Sequence, residues 1–210
     1  MDKRQFIRSG VLAALSLPLA GQGLASAAPG VRPGRVLPVR LNKGDTVALV
    51  SPSKATDEAL DLTIAQEVMQ ALGFRVKTGA HLASRRGHLT GTDTERAADI
   101  NAMFADREVK AVICLRGGSG AARVLPLLDY DLIRANPKVL LGYSDITALH
   151  NAIHARTGLV TFHGPNGTGS WNDFNADQFQ RVFFDRELMD YRNVVDTRGE
   201  LVQRQNRTIT

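Results

Sequence analysis

Serine, aspartate and a cluster of glycines occupy the positions in this chain where chemistry could be done. The stretch Pro137-Lys138-Val139-Leu140-Leu141-Gly142-Tyr143-Ser144-Asp145-Ile146-Thr147-Ala148-Leu149-His150 reads as strand, sharp turn and helix. Val139 to Leu141 form an apolar run suited to a buried strand, and Ile146, Leu149 and Ile153 recur at helical spacing. Ser144 falls at the junction. One reading makes it a nucleophile, its hydroxyl lifted off the sheet edge beside helix N–H groups that can stabilise an oxyanion. The other makes it a helix cap, with Asp145 adding favourable charge to the first turn. A second candidate is Arg116-Gly117-Gly118-Ser119-Gly120. Its glycines let backbone N–H groups approach a ligand, which fits an oxyanion site, a phosphate cradle or a tight turn with no ligand. As a dinucleotide fingerprint it is incomplete, because the sixth position from Gly118 holds Arg123.

The elements that position these residues follow from periodicity. Pro29 to Pro38 is a linker rich in proline, glycine and arginine. Thr46 to Val50 reads as a strand ending in the turn Ser51-Pro52-Ser53. Leu60, Ile64, Val68, Ala71 and Leu72 form an apolar helical stripe that Gly73 terminates, and Phe74 to Val76 begin a second strand. After the polar loop Arg85 to Thr94, with Thr94 as the expected cap, Ala97, Ile100 and Phe104 give a helix its buried face. Val109 to Leu115 form a third strand, and Ala121 to Leu128 a helical run. Alternation at this spacing predicts an α/β domain, a mostly parallel Rossmann- or flavodoxin-like sheet flanked by helices, with ligands at the carboxyl ends of the strands. Neighbouring units then set the glycine loop and the Ser144 turn side by side, as acyl transfer requires.

Composition narrows the classes. Hydrophobic residues make up 43% and charged residues 22%, as in an ordinary globular chain. The formal charge of +5 is carried by Lys3, Arg4, Arg8, Arg32, Arg35 and Arg40 against Asp2 alone, and the rest of the chain is balanced. With no basic excess in the folded part, nucleic acid is not an expected partner. The N-terminus has the order of an export signal: basic residues from Lys3 to Arg8, an apolar core from Val11 to Ala20 too short to span a bilayer, and the small-residue site Ala25-Ser26-Ala27. Lys3-Arg4-Gln5-Phe6-Ile7-Arg8 is similar to a twin-arginine signal with lysine in the first arginine's place. Residues 1–27 are therefore expected to be a signal peptide and 28–40 a linker, with no stable membrane anchor after cleavage and a periplasmic destination. Cys114 is the only cysteine, which rules out an intramolecular disulfide, and it lies in an apolar strand as inert core. His150 and His154 share a helix face, but with no acidic or cysteine partner in the pattern they read as a structural pair and not a metal site.

Several separated motifs carry a resemblance. Gly91-Thr92-Asp93, Glu95-Arg96-Ala97-Ala98-Asp99, Phe104-Ala105-Asp106, Arg116-Gly117-Gly118, Asp129-Tyr130, Asn136-Pro137-Lys138, Gly142 to Leu149, and Thr157-Gly158-Leu159-Val160-Thr161-Phe162-His163-Gly164-Pro165 occur in order. Together, over about Leu41 to Pro165, they closely resemble the LD-carboxypeptidases. These are serine peptidases that cleave between an L-centre and a terminal D-amino acid, chiefly releasing D-alanine from murein tetrapeptides; one relative processes a peptide-nucleotide antibiotic. The resemblance implies that Ser144 is the nucleophile and that the N–H groups of Gly118 and Asp145 form the oxyanion hole. It implies that Gly117 and Ser119 line the substrate site, Ser119 standing where many members have an aromatic residue. It implies no metal or organic cofactor, a murein peptide as partner, and leaves homodimer formation open. Ile146 stands where the G-x-S-x-G elbow has its second glycine, so the α/β-hydrolase class is not supported.

A serine nucleophile needs a base and a group to orient it. The family takes its glutamate and histidine from a C-terminal domain, and His81, His88, His150, His154 and His163 match no triad position. The expected domains are a nucleophile domain over 41–170 and, over 171–210, an interdomain segment with the start of a truncated second domain, since residues 166–210 offer a Gly-rich loop, a helix near Ala176 to Phe184 and one or two strand-like pieces, too little for a core of their own. The competing reading is a phosphate- or sugar-binding module in which Ser144 only caps a helix.

The order of basic segment, short apolar core and Ala-Ser-Ala predicts a mature chain that begins near Ala28 outside the cytoplasm. N-terminal sequencing of the cellular protein checks it, and a soluble cytoplasmic species that retains Met1 would refute it.

Overall fold

Thr46–Val50, Val109–Cys114 and Val139–Gly142 form the middle of the sheet because their runs are almost wholly apolar, and such runs must be covered on both faces. The computed structural model describes residues 33–185, 187–192 and 208–209. Its strands β1 (Thr46–Val50), β2 (Arg75–Thr78), β3 (Val109–Cys114), β4 (Val139–Gly142) and β5 (Phe162–His163) form a five-stranded sheet in the order β2-β1-β3-β4-β5. Every pairing in it is parallel. This is the flavodoxin-like order, with its switch point between β1 and β3, where ligands of such sheets bind. The short strands β6 (Tyr191–Arg192) and β7 (Thr208–Ile209) form a separate antiparallel pair.

The two-residue period of the strands divides the core. Ala48, Val50, Val112, Cys114 and Leu140 face one side. There they pack on Ala97, Ile100 and Phe104 of α2 (Asp93–Ala105), Ile133 of α3 (Tyr130–Ala135), and Leu149 and Ile153 of α4 (Thr147–Thr157). Val47, Leu49, Ala111, Ile113, Val139 and Leu141 face the other side and meet Ala65 and Met69 of α1 (Ala59–Ala71) and Phe179 of α5 (Asp173–Gln180). A buried aliphatic side chain stabilises such a core by about 1.5–3 kcal/mol, so the sheet can offset local costs at its edge. No helix among the described residues is long and apolar enough to cross a membrane.

Four local expectations change. The buried stripe of α1 is Ala65, Met69 and Leu72, with Leu62 and Val68 partly covered, while Leu60 and Ile64 are 59% and 45% exposed. Small Ala65 lets the helix approach the sheet, which turns the larger Leu60–Ile64 edge away. Thr92, not Thr94, caps α2: its Oγ1 accepts from Glu95 N at 3.2 Å and its own N donates to Glu95 Oε2 at 2.7 Å, a reciprocal capping box. The run after the glycine loop is a 3₁₀ helix over Ala121–Leu127, because Pro126 inside it cannot donate an α-helical bond. The predicted helix near 176–184 begins earlier and continues past α5 as a π turn, Arg181–Asp185. Trp171, Phe179, Phe183 and Phe184 pack into the core beside Phe74, so the packed body runs beyond residue 170.

The segment after β2 is tied to α2 through His81. His81 Nδ1 lies 2.8 Å from Asp99 Oδ1, and the His81 N–H donates to Asp99 Oδ2 at 3.0 Å. The Asp99 hydrogen bond raises the His81 pKa above its ordinary value. A raised histidine pKa gives stability that is fully present below the unfolded value and is lost as pH rises through the folded one. His81→Gln should therefore destabilise the fold more at roughly pH 5.5 than at roughly pH 8.5. Urea titrations of both proteins at the two pH values check this, and an equal loss at both would contradict it.

Candidate active site

Ser144 follows β4 and is the first residue of a short 3₁₀ turn, Ser144–Ile146, that leads into α4. Its φ is 63°, the left-handed region, and it is the only non-glycine among the described residues there. Tyr143, not Ser144, occupies the cap position, and no side-chain cap bond is made, so the capping reading fails on geometry. The turn is held by its neighbours. Tyr143 N donates to Asn166 Oδ1 at 3.0 Å, Ile146 N to Tyr143 O at 3.3 Å, and Gly164 N to Gly142 O at 3.1 Å. Ile146 anchors it in the core.

The Ser144 hydroxyl opens into a cleft of about 510 Å³. Lys54, Asp57, Glu58 and Asp61 line it from the segment after β1, Arg116, Gly117 and Gly118 after β3, Tyr143 and Ser144 after β4, and Asn166 and Thr168 after β5. All four sources are carboxyl ends of strands. Glycine is required on the facing loop by close approach: a Cβ at Gly117 would stand 3.1 Å from Ser144 Cβ and 3.3 Å from its Oγ. Gly118 has φ 130°, and a Cβ there would fall 2.5 Å from Lys54 Cβ. Among the described residues, neither the Gly118 nor the Asp145 N–H donates to a backbone acceptor. Gly117 lines this cleft, while Ser119 is exposed and is not among its lining residues.

Two polar residues whose roles sequence reasoning missed join the loops. The Asp145 carboxylate, expected only as first-turn charge, accepts from Ser53 Oγ at 2.5 Å and from Ala121 N at 2.8 Å. Arg96 of α2 is 1% exposed and donates through Nη1 to Pro52 O and, at 3.0 Å, to Gly120 O; its Nη2 donates to Asp93 Oδ1. Arg96 was visible only as part of a motif, and an arginine on the face of a helix otherwise reading as buried was the available signal. Asp57 is bound by Lys54 at 3.0 Å and Arg116 at 2.8 Å, which hold its carboxyl below the usual range.

The other candidate groups are occupied elsewhere. His150 Nε2 meets Gly142 O at 2.9 Å and His154 Nδ1 meets Leu159 O at 3.0 Å, so the helical pair fastens backbone. Burial lowers the His150 pKa. Cys114 is buried and its thiol pushed up by desolvation. No group of three or more histidine, cysteine or acidic side chains among the described residues could hold a metal.

The topology and the site together define an α/β domain with an exposed serine turn at its ligand-binding edge. The chain belongs to the LD-carboxypeptidase family: the model of the LD-carboxypeptidase N-terminal domain matches residues 47–164. It is 51% identical over 128 residues to the probable murein peptide carboxypeptidase of Bacillus subtilis (strain 168), covering 61% of this chain and 40% of that protein. To the murein tetrapeptide carboxypeptidase of Pseudomonas aeruginosa it is 38% identical over 125 residues, 59% of this chain and 40% of that one. The MccF-like protein from Bacillus anthracis str. Ames superimposes with a TM-score of 0.67 at 36% identity, over 70% of this chain and 47% of that one. The chain thus spans about two fifths of the length of the curated relatives it matches.

Because the Gly118 position is both left-handed and closed by Lys54, Gly118→Ala should cost about 1–3 kcal/mol of stability. Ser119→Ala, one residue on and exposed, should stay within about 0.5 kcal/mol of the parent. Urea denaturation of the pair checks the contrast, and equal effects would refute the close-approach account.

Proposed function

We propose that this chain is the nucleophile domain of a serine-type LD-carboxypeptidase acting on murein tetrapeptide in cell-wall turnover. The observation that carries the reading is the left-handed Ser144, its hydroxyl in the cleft and within van der Waals reach of the space beside Gly117. Ser144 Oγ attacks the carbonyl of the L-centre, and negative charge develops on the carbonyl oxygen. The N–H groups of Gly118 and Asp145, free of backbone acceptors, stabilise that charge. The tetrahedral adduct collapses, the C–N bond breaks, and D-alanine leaves with the proton from a general acid. Water then clears the acyl-serine.

A base must take the Ser144 proton. No side chain among the described residues hydrogen-bonds Ser144 Oγ, and the His150 and His154 rings are engaged with backbone carbonyls. In this reading the glutamate and histidine come from a C-terminal domain, as the family resemblance implies. Export by the N-terminal signal would bring the enzyme to murein in the periplasm. No metal or organic cofactor takes part in these steps.

Ser144→Ala in the full-length protein should leave the fold within about 1 kcal/mol of the parent. It should lower D-alanine release from a murein tetrapeptide by roughly 10³-fold or more. Amino-acid release measured by chromatography, beside a thermal melt, decides it. Activity within roughly tenfold of wild type in a normally folded variant would overturn the nucleophile, and with it favour the ligand-binding alternative.

A further inference from the structure

Asp145 supplies more than an amide, and Arg96 more than buried charge. The turn after β1 and the end of the glycine loop are bridged twice, one residue apart. The Asp145 carboxylate joins Ser53 to Ala121, and the Arg96 guanidinium joins Pro52 to Gly120. Ser53 is fully buried and Arg96 nearly so, which shields both bridges from competing water. Gly118 lies between these fixed points. It is two residues before Gly120, and its Cα side is closed by Lys54, the residue that follows Ser53. Lys54 N also donates to Gly117 O at 3.3 Å. Moving the β1 turn or the loop end therefore moves the Gly118 peptide.

We propose that Asp145 and Arg96 are positioning residues for the oxyanion hole, with the Asp145 side chain holding the glycine loop at the distance where the Gly118 and Asp145 amides can address one oxygen. This rests on the Ser144 reading. The same residue then sets both donors, one through its own backbone and the other through its carboxylate. Both bonds of that carboxylate end on one oxygen, Oδ2. Asparagine can keep an oxygen there and both bonds, whereas alanine cannot.

The test uses the full-length protein with Asp145→Ala, Asp145→Asn, Ser53→Ala and the double variant Ser53→Ala/Asp145→Ala. Hydrogen exchange read by mass spectrometry on the peptide covering Arg116 to Ala121 reports loop position independently of catalysis. Exchange there should rise at least roughly tenfold in Asp145→Ala and less in Asp145→Asn, while β1 and β3 keep their protection. Release of D-alanine should fall roughly 10²-fold in kcat for Asp145→Ala, with KM within about threefold, and recover by about tenfold or more in Asp145→Asn. The double variant should be scarcely worse than Asp145→Ala alone, because both substitutions break one network. If Asp145→Ala does not fold, Asp145→Asn and Ser53→Ala carry the same comparison.

Unchanged loop exchange would overturn the positioning role whatever the activity. Faster loop exchange with unchanged kcat would also overturn it, since the loop's place would then not govern the reaction. Failure of the Ser144 assignment is recognised separately, by an active Ser144→Ala variant, and the exchange readout stands apart from that outcome.

Discussion

The site depends on holding one serine in a backbone conformation that serine disfavours. A non-glycine residue in the left-handed region costs of order 1–3 kcal/mol and persists only where its surroundings over-determine it. Here the determination comes from both sides of the peptide. Gly142 O is taken by His150 and by Gly164 N, Tyr143 N by Asn166, and Tyr143 O by Ile146 N. Ile146 and Leu149 then sink into the core directly after the turn. Any relaxation of Ser144 toward an ordinary φ would have to break several of these at once. Burial, which lowers the His150 pKa by disfavouring the charged ring, suits it to fastening the strand-end carbonyl.

The same economy governs the polar layer above the sheet. Burying a guanidinium is expensive unless its donors find acceptors. Arg96 finds them in Pro52 O, Gly120 O and Asp93, although its Nε has no partner among the described residues. The carbonyls it serves belong to loops outside the strand ladders; Gly120 O also accepts from Arg123 N at 3.1 Å, whereas for Pro52 O Arg96 is the one donor found among the described residues. A hydrophobic residue at position 96 could fill the volume but would leave Pro52 O unsatisfied, at a cost of about 1–3 kcal/mol. The charge is therefore retained where the fold needs irregular backbone to be rigid.

What the sequence showed and what it hid divide along the range of the interactions. The parallel sheet, the two-faced burial and the strand-to-helix serine turn were legible because each rests on local periodicity or on the largely apolar runs of β1, β3 and β4. Thr92 was legible too, since Thr92-x-x-Glu95 is a capping-box spacing, and only the choice between two nearby threonines went astray. The stripe of α1 was misread because hydrophobicity alone cannot tell which edge meets the sheet; Ala65 decides it by being small, not by being apolar. The bridges from Asp145 to Ser53 and from Arg96 to Pro52 span 92 and 44 positions. No spacing rule reaches that far, so the motif that contains Arg96 could be recognised without its purpose being seen.

The phosphate-cradle reading of the glycine loop meets a physical objection in the same contacts. A loop that binds phosphate before a helix offers the first helical N–H groups and the positive end of the dipole to the anion. Here the helix is a short 3₁₀ turn, and the Ala121 N–H at its start already donates to the Asp145 carboxylate. An incoming phosphate would have to displace a carboxylate that Ser53 also holds. The nearest cations give little compensation, because Lys54 and Arg116 both bind Asp57, while Glu58 and Asp61 add acidic groups to the cleft wall. A dianion would approach a wall whose positive charge is spent. The oxyanion of the proposed reaction would ask for less: one unit of charge, at one point, beside the Gly118 and Asp145 amides that no backbone acceptor among the described residues has claimed. These contacts weigh against the phosphate reading and agree with the proposed acyl transfer.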